Sequence, residues 1–92
     1  MINLDEVQVL HLPEQGRFEI HADGHVAELE YFMNDSTITF THTGVPPALE
    51  GQGVGAKLAK AGLDYARASG FKIQSTCWFV TLYLKRHPEY FK

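Results

Sequence analysis

Three glycines within five residues, Gly51-Gln52-Gly53-Val54-Gly55, separate a strand-like segment ending at Val45 from a helix-like one starting at Val54. Glycine adopts positive φ without steric cost and lets backbone amides come close to a ligand. The first-turn N–H groups of the following helix have no intrahelical acceptor, and the helix dipole adds partial positive charge there. A strand, a glycine loop and a helix in that order build an anion site suited to pyrophosphate. A plain glycine-rich turn uses the same residues, so the loop alone leaves both roles open.

The segments around the loop are read from their periods. Arg17-Phe18-Glu19-Ile20-His21-Ala22 alternates polar with apolar, as a half-buried strand does. Asp23-Gly24 is a hairpin signal, because a type I′ turn needs positive φ at both central residues. A second strand runs from about His25 to Met33, and Asn34-Asp35-Ser36 turns the chain again. The third, Thr37 to Val45, alternates so that Ile38, Phe40 and His42 share a face, which predicts that His42 looks toward the apolar side. Val7 to Leu12 is expected as an edge strand stopped by Pro13.

From Val54 the period becomes helical, with Val54, Leu58, Ala61, Gly62 and Tyr65 as the apolar stripe and Lys57, Lys60, Asp64 and Arg67 toward solvent. Gly70 suits the residue just past that helix. A buried strand from Phe71 to Cys77 follows, then a short helix from about Phe79 to Arg86 that stops before His87-Pro88. An antiparallel meander followed by a helical crossover predicts an α+β fold with one parallel strand pair.

Ninety-two residues leave room for one domain, expected to span 1–92. No run approaches the roughly 18 apolar residues of a membrane helix. The acidic start Met1-Ile2-Asn3-Leu4-Asp5-Glu6 is unlike a secretory leader, so a cytoplasmic location without a membrane partner is expected. A formal net charge of −3 without a Lys/Arg cluster argues against a nucleic-acid partner. The single Cys77 has no partner for an intrachain disulfide, and the five scattered histidines offer no metal-ligand spacing.

Two nucleotide motifs fail at the loop. The G-x-G-x-x-G fingerprint has a different glycine spacing, and the G-x-x-x-x-G-K-[ST] loop would need Lys directly after Gly55. The pattern [Q/R]-x-x-G-x-[G/A] fits at Glu50-Gly51-Gln52-Gly53-Val54-Gly55, with Glu50 departing from the first slot. On that loop the chain resembles the GNAT N-acetyltransferases, in which this pattern holds the pyrophosphate of acetyl-CoA. The element order from Phe18 to Phe91 is similar to the centre of the GNAT fold. Cys77, Val80, Tyr83 and Lys85 fall on a frame like that family's last motif, with Cys77 where Asn is common. The length and the cysteine resemble a compact GNAT-like subfamily that lacks the helices shaping the acceptor pocket.

The resemblance implies acetyl-CoA-dependent transfer of an acetyl group to an amine, of a small molecule or a protein, that the sequence does not name. Its alternative is an acetyl-CoA-binding module with little or no turnover. It further implies that the amides of Gln52, Gly53, Val54, Gly55 and Ala56 take the pyrophosphate, and that the cofactor arm runs beside Thr43, Gly44 and Val45, in the gap between splayed strands. Lys57 and Lys60 are placed near the loop, where they would meet the 3′-phosphate or simply be solvated. His42 and Cys77 are expected to face each other across the acyl end, His42 as base and Cys77 as nucleophile or thioester neighbour. Tyr83 is the expected proton donor to the leaving thiolate. Each has a structural alternative: a hydrogen-bonded histidine, a small buried cysteine, a packed tyrosine.

Overall fold

The structure, a computed structural model, describes residues 2–91. Five strands form one sheet in sequence order: β1 (Val9–Leu12), β2 (Arg17–Ala22), β3 (His25–Asn34), β4 (Thr37–Gly44) and β5 (Lys72–Ser75). The first four are antiparallel, and β5 lies parallel to β4. Two helices, α1 (Val54–Ala68) and α2 (Trp78–Arg86), follow β4 and β5, with 3-10 turns at Pro13–Gln15, Pro47–Leu49 and Pro88–Phe91. The expected α+β meander with a crossover is thus present. The edge strand is shorter than its apolar run suggests, leaving out Val7 and Gln8, and β5 leaves out Phe71, Thr76 and Cys77.

Local chemistry accounts for the turns. Asp23 and Gly24 both carry positive φ, 51° and 76°, as the hairpin between β2 and β3 requires. Helix α1 ends in a Schellman arrangement: Gly70 N–H donates to Arg67 C=O and Phe71 N–H to Ala66 C=O. Helix α2 stops at His87, the residue before Pro88.

The core lies between one sheet face and the helices. Phe18, Ile20, Ala27, Leu29, Ile38 and Phe40 point at Val54, Leu58 and Leu63 of α1 and Val80 of α2, all at most 3% exposed. The buried side of α1 is broader than its predicted stripe, taking in Ala59, Leu63 and Ala66 while Ala61 and Tyr65 are half-buried. Gly62 marks the closest approach of α1 to the sheet, since a Cβ there would stand 2.8 Å from Leu29 Cδ2 and 2.9 Å from Phe40 Cε1. Beneath α1, Tyr90 donates to Asp64 at 2.7 Å and fixes the C-terminal turn.

One irregularity shapes the site. The register passes from Tyr31↔Phe40 to Glu30↔His42, so Thr41 has no opposite residue and forms a β-bulge. The extra residue reverses the alternation beyond it. Thr43, opposite Leu29, joins the core face, while His42, opposite Glu30, stands on the outer face. The expectation that His42 shares a face with Phe40 is therefore wrong.

Candidate functional site

The parallel pairing of β4 with β5 ends at Phe40↔Ser75, although β4 continues to Gly44. Phe40 C=O closes the pairing by accepting from both Thr76 N–H, at 2.9 Å, and Cys77 N–H, at 3.3 Å. Beyond this point β5 turns into α2, and the β4 edge from Thr41 to Gly44 is left without a strand on that side. The gap opens into a cleft of about 790 Å³. Its walls are Thr43 and Val45 from β4 and the segment after it, Leu49 to Gly51 and Gly53 to Ala56 around the glycine loop, and one side of α2 bearing Phe79, Tyr83 and Arg86.

The glycine loop supplies the cleft's anion-binding end. Gly51 and Gly53 carry φ of 76° and 83°, and Gly53 is the N-cap of α1. The first helical bond is Lys57 N–H to Gly53 C=O, at 3.0 Å. No side chain caps the helix, and the amides of Gly53, Val54, Gly55 and Ala56 have no hydrogen-bond partner among the described residues. These are the free donors an anion needs. Gly55 has a packing reason as well: a Cβ there would stand 2.9 Å from Phe79 Cζ. Phe79 thus seals α2 against the first turn of α1, a contact invisible in the local pattern around either residue.

One of the expected cofactor contacts, the Lys57 side chain, is engaged elsewhere. Lys57 Nζ donates to the carbonyls of Leu4 and Val7, the latter at 2.9 Å, and does not line the cleft. The Gln52 side chain likewise faces the N-terminal segment, taking Ile2 N–H on Oε1 and giving Nε2 to Ala48 C=O, while its backbone amide, the group expected to meet the pyrophosphate, makes no hydrogen bond among the described residues. Leu4 packs close to Gly53, where a Cβ would meet Leu4 Cδ2 at 3.0 Å. Residues 2–7 therefore strap the loop from behind, and the solvent-facing position expected for Lys57 is corrected. Lys60, the other lysine considered, pairs with Asp64 at 2.7 Å.

This assigns Lys57 a measurable structural cost. Lys57→Met should remove two charge-assisted hydrogen bonds and cost on the order of 1–2 kcal/mol, because the site is partly open to water. In a domain this small, thermal denaturation should show Tm lower by roughly 4–8 °C per kcal/mol lost. An unchanged Tm with weakened phosphate binding would return Lys57 to the cofactor.

At the inner end of the gap, Cys77 is the N-cap of α2 and only 7% exposed. Its thiol partner is Thr43, with Oγ1 and Sγ 3.3 Å apart. Ser75 holds the turn: its hydroxyl donates to Cys77 C=O at 2.9 Å and accepts from Cys77 N–H at 3.2 Å and from Thr81 at 3.0 Å. The His42 ring is on the other face, over Gly44 and beside Glu28, as the space around Gly44 shows: a Cβ there would be 3.1 Å from His42 Nε2 and 3.3 Å from Glu28 Oε1. The bulge thus separates His42 from Cys77, and the expected pairing across the acyl end is not made. Thr43 takes His42's place beside the thiol.

Tyr83 does line the cleft, stacked on His87 with ring centroids 4.1 Å apart. Burial pushes its phenol above the ordinary tyrosine range, Lys60 partly opposes this, and Asp64 and Glu89 reinforce it. The group stays protonated at neutral pH and able to donate. Trp78 stands at the rim with 76% exposure, edge-on to Phe79. Arg86 and Leu82 also line the cleft, and sequence reasoning assigned neither of them there. Helical spacing carried that signal, since Phe79, Leu82, Tyr83 and Arg86 fall at i, i+3, i+4 and i+7.

Residues 17–92 match the family described as GCN5-related N-acetyl-transferase, which is most of the chain. The chain belongs to that family. It is 32% identical over 89 residues to the protein NATD1 of Danio rerio, covering 91% of this chain and 81% of the relative. Against NATD1 of Gallus gallus it is 31% identical over 85 residues, covering 89% and 77%. The solution structure of a GCN5-like protein from Staphylococcus aureus superposes with a TM-score of 0.71 at 33% identity, covering 95% of this chain and 86% of that one. The GNAT-like fold expected from the glycine loop and the meander is the fold of this chain.

Proposed function

We propose that the chain is an acetyl-CoA-dependent N-acetyltransferase that passes the acetyl group directly from the donor thioester to an amine. The observation that carries this is the continuity of one cleft from the free amides at the start of α1 to the open edge of β4. The amides of Gly53 to Ala56 fit the pyrophosphate, and the unpaired backbone of Thr43 and its neighbours fits the amide-bearing arm, which can bond to it as a further strand would. When bound, acetyl-CoA supplies an activated acyl group.

The chain's own residues have three tasks. Tyr83, held protonated, gives its phenolic proton to the departing thiolate. Thr43 and Cys77 pack and polarise the inner end of the gap through their shared hydrogen bond. His42 stands on the outer face at the same strand end, where it can take the proton of an amine entering from solvent. Direct transfer is preferred over an acetyl-Cys77 route because Thr43, rather than a base, adjoins the thiol.

A second reading, binding without turnover, is favoured by the outer sheet face, which carries no helix among the described residues. One pair of measurements separates the two. Calorimetric titration with acetyl-CoA should show saturable 1:1 binding, and release of free coenzyme A thiol should accelerate when primary amines are added. Binding without amine-dependent release selects the second reading; no binding refutes both.

A further inference from the structure

We infer that the acceptor is a cationic primary alkylamine whose ammonium is seated over Gly44, between His42 Nε2 and Glu28 Oε1; this rests on the transfer reading above. The β-bulge that puts His42 on the outer face of the sheet also brings it beside Glu28, whose strand partner is Gly44. With no side chain on Gly44, a notch is left between the two. A Cβ there would stand 3.1 Å from His42 Nε2 and 3.3 Å from Glu28 Oε1, so a nitrogen at that point lies at or near hydrogen-bond distance from both. Gly44 is a strand residue without positive φ, so the backbone does not call for glycine. A strand glycine of that kind marks a place where a ligand approaches closely.

Both atoms are available. Glu28 gives Oε2 to Arg17, which also pairs with Glu19 at 2.9 Å, and this fixes the carboxylate with Oε1 toward the notch. Neither Oε1 nor the His42 ring makes a hydrogen bond or ion pair with any described residue, and His42 is exposed. An ammonium carries three N–H donors and matches a carboxylate oxygen and a neutral imidazole nitrogen at once. The surroundings favour a cation: along β2, β3 and β4 the carboxylates are Glu19, Glu28 and Glu30, and Arg17 is the sole Lys or Arg. Glu19 lies directly opposite Glu28, a like-charge pair that costs stability and that Arg17 offsets in part. Glu30, opposite His42, has no ion pair among the described residues and can take a second positive charge on the acceptor. Gly44 follows Thr43, which lines the donor cleft from the other face, so an amine in the notch reaches the acyl carbon around the unpaired β4 edge. The ammonium loses two protons as its N–C bond forms and the C–S bond breaks. One passes to His42 Nε2 and on to solvent; the other balances the proton that Tyr83 gives the departing sulfur.

The test measures steady-state transfer by the full chain from acetyl-CoA to cadaverine and to δ-aminovalerate, which has a carboxylate in place of the second amine. NMR of the coenzyme A complex follows cadaverine binding at the His42 ring and the Gly44 amide. kcat/KM should be at least about tenfold higher for cadaverine. Glu28→Gln should raise KM for cadaverine roughly tenfold with kcat nearly unchanged, as loss of a charge-assisted hydrogen bond made in binding does. Gly44→Ala, which fills the notch with a methyl group, should raise that KM too and abolish the cadaverine shifts. An N-acetylated lysine amide in the same assay tells the two sources of such an amine apart: used as well as cadaverine it marks an exposed lysine, used much less it marks a free diamine, and the seat is the same in both. Equal use of cadaverine and δ-aminovalerate, an unchanged KM in both variants, or transfer without those shifts overturns the inference and leaves the transfer reading standing. Shifts at His42 and Gly44 without transfer support the seat and overturn the transfer reading. Neither shifts nor transfer overturns both.

Discussion

Gly53→Val should raise the dissociation constant for acetyl-CoA at least about tenfold, a loss of about 1.4 kcal/mol or more of binding energy. The residue caps α1 with φ of 83°, a conformation that costs an L-residue roughly 1–2 kcal/mol and a β-branched one more. Relief of that strain rotates the peptide and turns the first free amides of α1 away from the cleft. The new side chain would also meet Leu4, which sits 3.0 Å from the Cβ position, and so loosen the strap behind the loop. Lost stability must be separated from lost binding. Gly70→Ala provides the comparison, with φ of 74°, open space around its Cβ and a position at the far end of α1. It should lower Tm without changing affinity. If calorimetry finds both variants binding like the unmodified protein, the loop is a turn and not the anion site.

The elements that sequence alone revealed are those whose signals are local. Alternation set β2 and β3, Asp23-Gly24 set their turn, and the glycine loop followed by a 3.6-residue period set the start of α1. What escaped was fixed by partners far along the chain. The bulge at Thr41 is a property of how β4 pairs with β3, and the run from Thr37 to Thr43 alternates as evenly as an unbroken strand does. A one-residue slip moves each later side chain to the other face, so His42 and Thr43 exchanged roles. Lys57 lies at a solvent-facing helical position, and only the return of residues some fifty places earlier makes it a strut. Gly55 carries two readings at once, because a glycine at a helix start serves a ligand or a neighbouring ring equally well, and Phe79 supplies the ring.

The second large effect concerns the proton that the leaving thiolate must receive. Tyr83→Phe should lower the rate of acetyl transfer by about 10²-fold or more, the usual contribution of a positioned general acid, while leaving acetyl-CoA affinity nearly unchanged. The phenol is removed but the ring, and its stack on His87, stay in place. Cys77 discriminates between the two routes of transfer. In direct transfer Cys77→Ala loses only the thiol that Thr43 holds, so activity should fall modestly, Thr43→Val should behave alike, and mass spectrometry of the unmodified protein mixed with acetyl-CoA should find no acetyl group on Cys77. In the covalent route the Cys77 sulfur would form a bond to the acetyl carbon as the coenzyme thiolate leaves, and an amine would then displace the Cys77 thiolate. Cys77→Ala would then abolish transfer, and an acetylated Cys77 would accumulate without amine. The Thr43 contact and the absence of His42 from that side of the sheet favour the first outcome. A full rate in Tyr83→Phe would remove the proton donor from the scheme, and transfer would then have to proceed with water protonating the thiolate.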